Sequence, residues 1–109
     1  MRIWDISPEK LCRNHLLGEH RELHAIWSIL LNNKKGYAHH PETIRWKGKL
    51  KALYLRHEQL IGEMMRRGYH HHSPLEQWFA TGCDKQDIFI DSLKEQVRLL
   101  RQKKCRCTV

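Results

Sequence analysis

Apolar and polar residues alternate along the first third of this chain with the period of a helix. With His15 set at zero and about 100° per residue, Leu11 and Ile29 fall about 40° to one side and Ile26 about 20° to the other. Glu22 falls about 20° from His15, on the Leu11 side. The spacing predicts a helix over residues 8–31, opened by Ser7-Pro8-Glu9 and stopped at Asn32-Asn33. Its apolar stripe therefore carries an imidazole and a carboxylate. Burying a charge without a partner is costly, so such a pair is either satisfied locally or kept for chemistry.

Downstream, Pro41-Glu42 opens a short helical turn. Leu50, Leu53, Tyr54, Leu60, Ile61, Met64 and Met65 space a second long helix over residues 46–67, with Gly68 as its C′ residue. Ser73-Pro74-Leu75-Glu76 starts one or two turns up to Phe79, and Ile88-Phe89-Ile90 reads as extended. Ser92 and Glu95 form a capping box for a last helix to about Lys103, with Leu93, Val97 and Leu100 inward. Before the first helix, residues 1–6 read as an extended arm anchored by Ile3 and Ile6. The expectation is an all-α fold, a single compact domain over residues 1–109, with three main helices, long connections and no convincing sheet.

A chain of 109 residues supports one modest core. No apolar run approaches the roughly 20 residues of a membrane span. The start lacks the apolar core of a signal peptide, which predicts a cytoplasmic protein with no membrane partner. Its cysteines, Cys12, Cys83, Cys105 and Cys107, are then expected as free thiols, with Cys105-Arg106-Cys107 in a frayed basic tail.

Charge is unevenly spread. The net charge is +8, and residues 34–67 hold nine positive and three negative groups. A localised basic face points to a polyanion, nucleic acid first. Within it, Arg45-Trp46-Lys47-Gly48-Lys49-Leu50-Lys51, followed by Arg56, interleaves cations with an aromatic. That suits phosphate contact plus stacking; the alternative is the outer face of an amphipathic helix anchored by Trp46.

Two further constellations bear on chemistry. The α-amine of Met1, whose pKa is about 7.7–8.0 in a free chain, is a better nucleophile near neutral pH than an ordinary lysine. Glu22 can stabilise a cationic imine and move protons, beside His15 and Arg21; alternatively Glu22 pairs with His15 or Arg21 to hold the helix in place. His20 and His24, at i and i+4, can chelate a metal, but they fall about 140–180° from His15 and read as solvated surface groups.

The string His15-Leu16, Glu19, Arg21-Glu22-Leu23, with Ile3 and Leu11 before it and Leu55–Tyr69 after it, resembles the pyrimidine-dimer DNA glycosylases, the phage-type endonuclease V enzymes. The resemblance spans roughly residues 1–70. It implies a compact all-α enzyme that flips a base, cuts the glycosidic bond with its N-terminal amine and breaks the strand by β-elimination. It further implies Met1 as the nucleophilic amine, Glu22 as the catalytic carboxylate, Arg21 and His15 beside it, and Arg2 near the DNA. Ala25 stands where the family has a second active-site arginine, and the family's aromatic C-terminal tail has no counterpart.

The resulting expectation is a DNA glycosylase with abasic-site lyase activity, a monomer acting on damaged double-stranded DNA without metal or cofactor. Met1, Glu22, Arg21 and His15 would be catalytic, and Arg2, Arg45, Trp46, Lys47, Lys49, Lys51 and Arg56 would bind DNA. The alternatives are a non-catalytic nucleic-acid-binding helical domain and a metal-dependent hydrolase built on His20 and His24.

Overall fold

Three longer helices account for most of the regular structure in the computed structural model, which describes residues 1–109. They are α1 (Arg13–Asn32), α3 (Leu50–Arg66) and α4 (Leu93–Gln102). A four-residue helix, α2 (Pro41–Ile44), and two 3-10 turns, Pro8–Lys10 and Gln77–Phe79, lie between them. There is no strand; one antiparallel bridge joins Lys49 and Gly82. The all-α expectation holds, and no helix is long and apolar enough to cross a membrane.

One cluster of 14 buried apolar residues fills the centre, with α1 packed on α3. Ile3, Trp4 and Ile6 of the N-terminal arm belong to this cluster.

The first helix starts later than the spacing predicts. Pro8–Lys10 forms only a 3-10 turn, and Ser7 makes no side-chain cap. Leu11 then turns extended and α1 begins at Arg13 after Cys12. The break drives Leu11 into the core. Arg67 satisfies the carbonyl of Leu11 at 2.6 Å, one of the groups a continuous helix would have paired internally. At the far end Asn33 closes α1 in the left-handed region at φ 50°.

The second long helix also starts later, at Leu50 instead of Trp46. Gly48 adopts φ +72°, which interrupts the helical run. Gly82 lies against it so closely that a Cβ there would sit 2.2 Å from the Gly48 carbonyl oxygen. Through this approach the carbonyls of Thr81 and Cys83 accept from the amides of Lys51 and Ala52, two of the orphan donors at the start of α3.

Met65 and Leu93, read as inward, are exposed, whereas Leu100 is fully buried. The Ser92–Glu95 cap is present, with Ser92 Oγ accepting from the Glu95 amide at 3.1 Å.

Candidate active site and the side chains around it

The N-terminal arm has no secondary structure of its own, so its buried backbone polar groups need side-chain partners. Four side chains from three helices and the α2–α3 connection supply them. Glu19 Oε1 accepts from the Trp4 amide at 2.9 Å, and Gln96 Oε1 accepts from the Asp5 amide at 2.8 Å. Arg45 donates to the Ile3 carbonyl at 3.0 Å, and Arg56 donates to the Ile6 carbonyl at 2.9 Å. The donors and acceptors are themselves paired. Arg56 meets Glu19 at 2.7 Å, and Arg45 meets Glu42 at 2.7 Å and Asp5 at 3.1 Å. Burial pushes the Glu19 carboxyl up, while Arg56 and the Trp4 amide pull it back.

This clamp corrects part of the expected DNA-binding set. Arg45 and Trp46 are both buried, and the Trp46 indole donates inward to Glu42 at 3.1 Å. Arg56 is consumed by Glu19 and the arm. Arg45 and Trp46 offer no surface to phosphate, and Arg56 is half-buried with its guanidinium engaged; a guanidinium is used here because its fork can bridge a carboxylate and a carbonyl together. Lys49 reaches Asp87 at 3.1 Å and Gln86 at 2.7 Å. Arg2 pairs with Asp91 at 2.8 Å and lies over the Trp4 ring. Lys47 is exposed, Lys51 is half-buried, and neither has an ion pair. Lys47 instead lines a groove of about 690 Å³ with Lys34, Lys35 and His39, between the end of α1 and the start of α3.

Glu22 is half-buried on α1 and takes part in no ion pair or side-chain hydrogen bond, and Arg21 beside it is exposed and equally unpaired. The alternative of a Glu22–His15 or Glu22–Arg21 structural pair is thereby overturned. Met1 is half-buried, its thioether 3.4 Å from the Thr43 hydroxyl of α2. His15 is engaged with other partners. Its Nδ1 lies 3.2 Å from both Cys12 Sγ and Cys107 Sγ, and its ring meets the Trp4 indole edge-on at 5.9 Å. Burial and the nearby Lys103 push the His15 pKa down.

The reason lies in the placement of the buried arc. The buried residues of α1 are Leu16, Glu19, Leu23, Ile26, Trp27 and Ile29. On the same projection their centre lies about 50° from His15, toward His20. His15 and Glu22 therefore lie near one margin of the arc, and His20 and His24 lie just beyond the other.

At that second margin the reading of solvated surface histidines is corrected. His20 and His24 of α1, the fully buried His57 of α3 and His71 of the following segment bring their ring nitrogens together. Nε2 of His20 lies 3.1 Å from that of His24, 3.2 Å from that of His57 and 3.1 Å from that of His71; His24 and His57 are 3.1 Å apart. Burial first, and then the neighbouring imidazoles, lower His20 and His57 to about 4. His24 is lowered by burial and by His71.

The C-terminal tail is likewise not frayed at its cysteines. Cys12, His15, Cys105 and Cys107 converge, and Cys107 Sγ accepts from the Cys12 amide at 3.1 Å. Burial pushes the Cys107 thiol up to about 12.

Glu19 was not singled out as a positioning residue, although its place about 40° from His15 on the apolar side was the signal that could have found it. The sequence offered His57 and His71 only among several possible partners of His20 and His24, with His39, His40, His70 and His72, and did not join Cys107 to Cys12, because those pairings cross the chain.

A family model described as pyrimidine dimer DNA glycosylase matches residues 1–77, which include the arm, α1, α2, α3 and His71. No curated protein and no solved structure matches the chain.

Proposed function

Because the chain belongs to the pyrimidine dimer DNA glycosylase family, we propose that it is a DNA repair glycosylase with associated abasic-site lyase activity, using the Met1 amine as nucleophile and Glu22 as its carboxylate. The observation that carries this reading is the contrast of two acids on α1. Glu19 is consumed in holding the arm at Trp4, while Glu22, one turn further on, has no partner. The Met1 amine lies three residues before Trp4, a reach of at most about 10 Å. Glu22 lies about 4.5 Å along the helix from Glu19. These spacings support a reading in which the amine works beside Glu22.

In the proposed reaction the unprotonated Met1 amine attacks C1′ of the damaged nucleotide, and the base leaves with the bond electrons. Loss of one amine proton lets the nitrogen lone pair form the C1′=N bond as the C1′–O4′ bond breaks, O4′ taking up a proton, which gives the protonated imine with the opened sugar. Abstraction of a C2′ proton then expels the 3′ phosphate by β-elimination. Glu22 stabilises the iminium charge and carries protons between these steps. Arg21, exposed beside Glu22, is suited to phosphate or to the flipped base. His15 acts on the arm through Trp4. Lys34, Lys35 and Lys47 supply sequence-independent phosphate binding, and a damaged site costs less to flip. The enzyme is proposed to act as a cytoplasmic monomer on double-stranded DNA.

Borohydride trapping on ultraviolet-damaged and abasic duplexes, run side by side, tests the reading. A covalent protein–DNA adduct on both substrates, mapped by mass spectrometry to Met1, is expected. An adduct on a lysine, or binding without any adduct on either duplex, overturns it, the latter in favour of a non-catalytic DNA-binding domain.

A further inference from the structure

The four-histidine cluster has a hydrogen-bonding problem that protein atoms alone do not solve. A ring nitrogen of neutral imidazole offers one proton or one lone pair, not several. Yet Nε2 of His20 has three Nε2 neighbours and Nε2 of His24 has two. At most two of these four pairings can be hydrogen bonds at once. Because His20, His24 and His57 are mutually close, at least one further pairing sets lone pair against lone pair, or proton against proton, in a half-buried pocket. A cation at the centre satisfies all four lone pairs together.

The dimensions fit such an ion. Zinc–imidazole bonds of about 2.0–2.1 Å imply a tetrahedron with N···N edges of roughly 3.3–3.4 Å. The four close edges are 3.1–3.2 Å, and all four ligand atoms lie within 4.8 Å of one another. Metal binding takes each imidazole in its neutral form, with a lone pair on the ligating nitrogen. One has an outer partner, since the Nδ1 of His57 lies 3.3 Å from Glu58 Oε1.

We propose that His20, His24, His57 and His71 form a binding site for a divalent first-row transition metal, with zinc the representative ion. An all-imidazole donor set suits zinc, copper, iron or nickel, and excludes the oxygen-seeking magnesium and calcium. With four protein ligands the tetrahedral shell is closed, which marks a structural centre and not a water-activating one. This disfavours the metal-dependent hydrolase built on His20 and His24.

The structural task is visible in the topology. After Gly68, at φ +81°, the backbone from Tyr69 to Glu76 has no regular structure. His71 ties that segment to α1 and α3, so the ion would clasp α1, α3 and the irregular segment that follows α3. The site stands on different residues from those of the proposed imine chemistry.

The test uses the full-length chain freed of metal with chelator and titrated with Zn²⁺ by calorimetry, then with Co²⁺ by absorption. The wild type should take up zinc at this site, and His71→Ala, a substitution in a loop, should weaken it by about 100-fold or more. Circular dichroism of His71→Ala should show helicity unchanged. The Co²⁺ band due to the site should be tetrahedral and lack thiolate-to-metal charge transfer, and should persist in Cys107→Ser. Limited proteolysis should cut Tyr69–Glu76 faster without metal. Zinc binding of unchanged affinity in His71→Ala, no zinc binding by the wild type, or a Co²⁺ spectrum wholly thiolate in character and lost in Cys107→Ser would each overturn the assignment. The last outcome would move the metal to the cysteine cluster. If His71→Ala also lost helicity, His24→Asn would replace it under the same criteria.

Discussion

Two neighbouring regions of α1 treat the same functional group in opposite ways. Under the N-terminal arm, Glu19 is buried and holds both Arg56 and the Trp4 amide. One turn on, at the margin of the buried arc, Glu22 is half-exposed and holds nothing. A carboxylate taken fully out of water survives only if paired, and once paired it positions its neighbours instead of reacting. A carboxylate at a margin stays in contact with water and available to a substrate. The first region fixes geometry, and the second is suited to use it.

The sharpest way to break this comparison is to remove the positioning acid. Glu19→Leu leaves Arg56 and the Trp4 amide without their acceptor. It should cost about 3 kcal/mol, toward the lower end for a broken buried pair because Arg56 keeps some access to water. Urea unfolding would measure it, and Arg56→Met in the same chain should recover part of that cost. A cost below about 0.5 kcal/mol, the range of ordinary surface substitutions, would show that the arm is held elsewhere.

Displacing the other partner should hurt activity instead of stability. A few residues added before Met1 move the amine away while leaving the clamp at Trp4 in place. Strand cleavage should fall at least 10²-fold, since placement to within about 1 Å matters for a positioned nucleophile. Full cleavage by an extended chain would exclude the Met1 amine.

Glu22→Gln should reduce turnover by roughly 10²-fold, the scale of an acid–base group, with stability changed by less than about 0.5 kcal/mol. Turnover assays and urea unfolding on one preparation separate the two effects. Retained turnover with reduced stability would make Glu22 a second Glu19.

The smallest effect concerns the basic groove, where ion pairing again separates the roles. Removing charge from Lys34, Lys35 and Lys47 together should lower the log–log salt slope of duplex binding by up to about 0.9 for each phosphate that is no longer neutralised. Lys49, already paired with Asp87, should contribute less. Equal effects from Lys49 and from any of the three would mean that ion pairing does not mark the DNA face.

The local sequence determined the helices and several of their ends. Helical spacing, the Ser92–Glu95 cap, Gly68 and the Asn32-Asn33 stop are all interactions between residues a few positions apart, so they can be read along the chain. The His15-to-Leu23 string carried the family for the same reason, because it lies on one stretch of one helix. The true start of α1 escaped that reading, since Leu11 is turned out of the helix by the core and by Arg67 across the fold. So did the fate of Arg45, Trp46 and Arg56, basic and aromatic residues that the pattern offers to DNA and the packing spends on the arm. The tertiary structure alone brought His71 to His20 and Cys107 to Cys12, and gave two acids on one helix their opposite surroundings. Those arrangements depend on which side chains meet across elements, and helical periodicity carries no record of the partner on the other side.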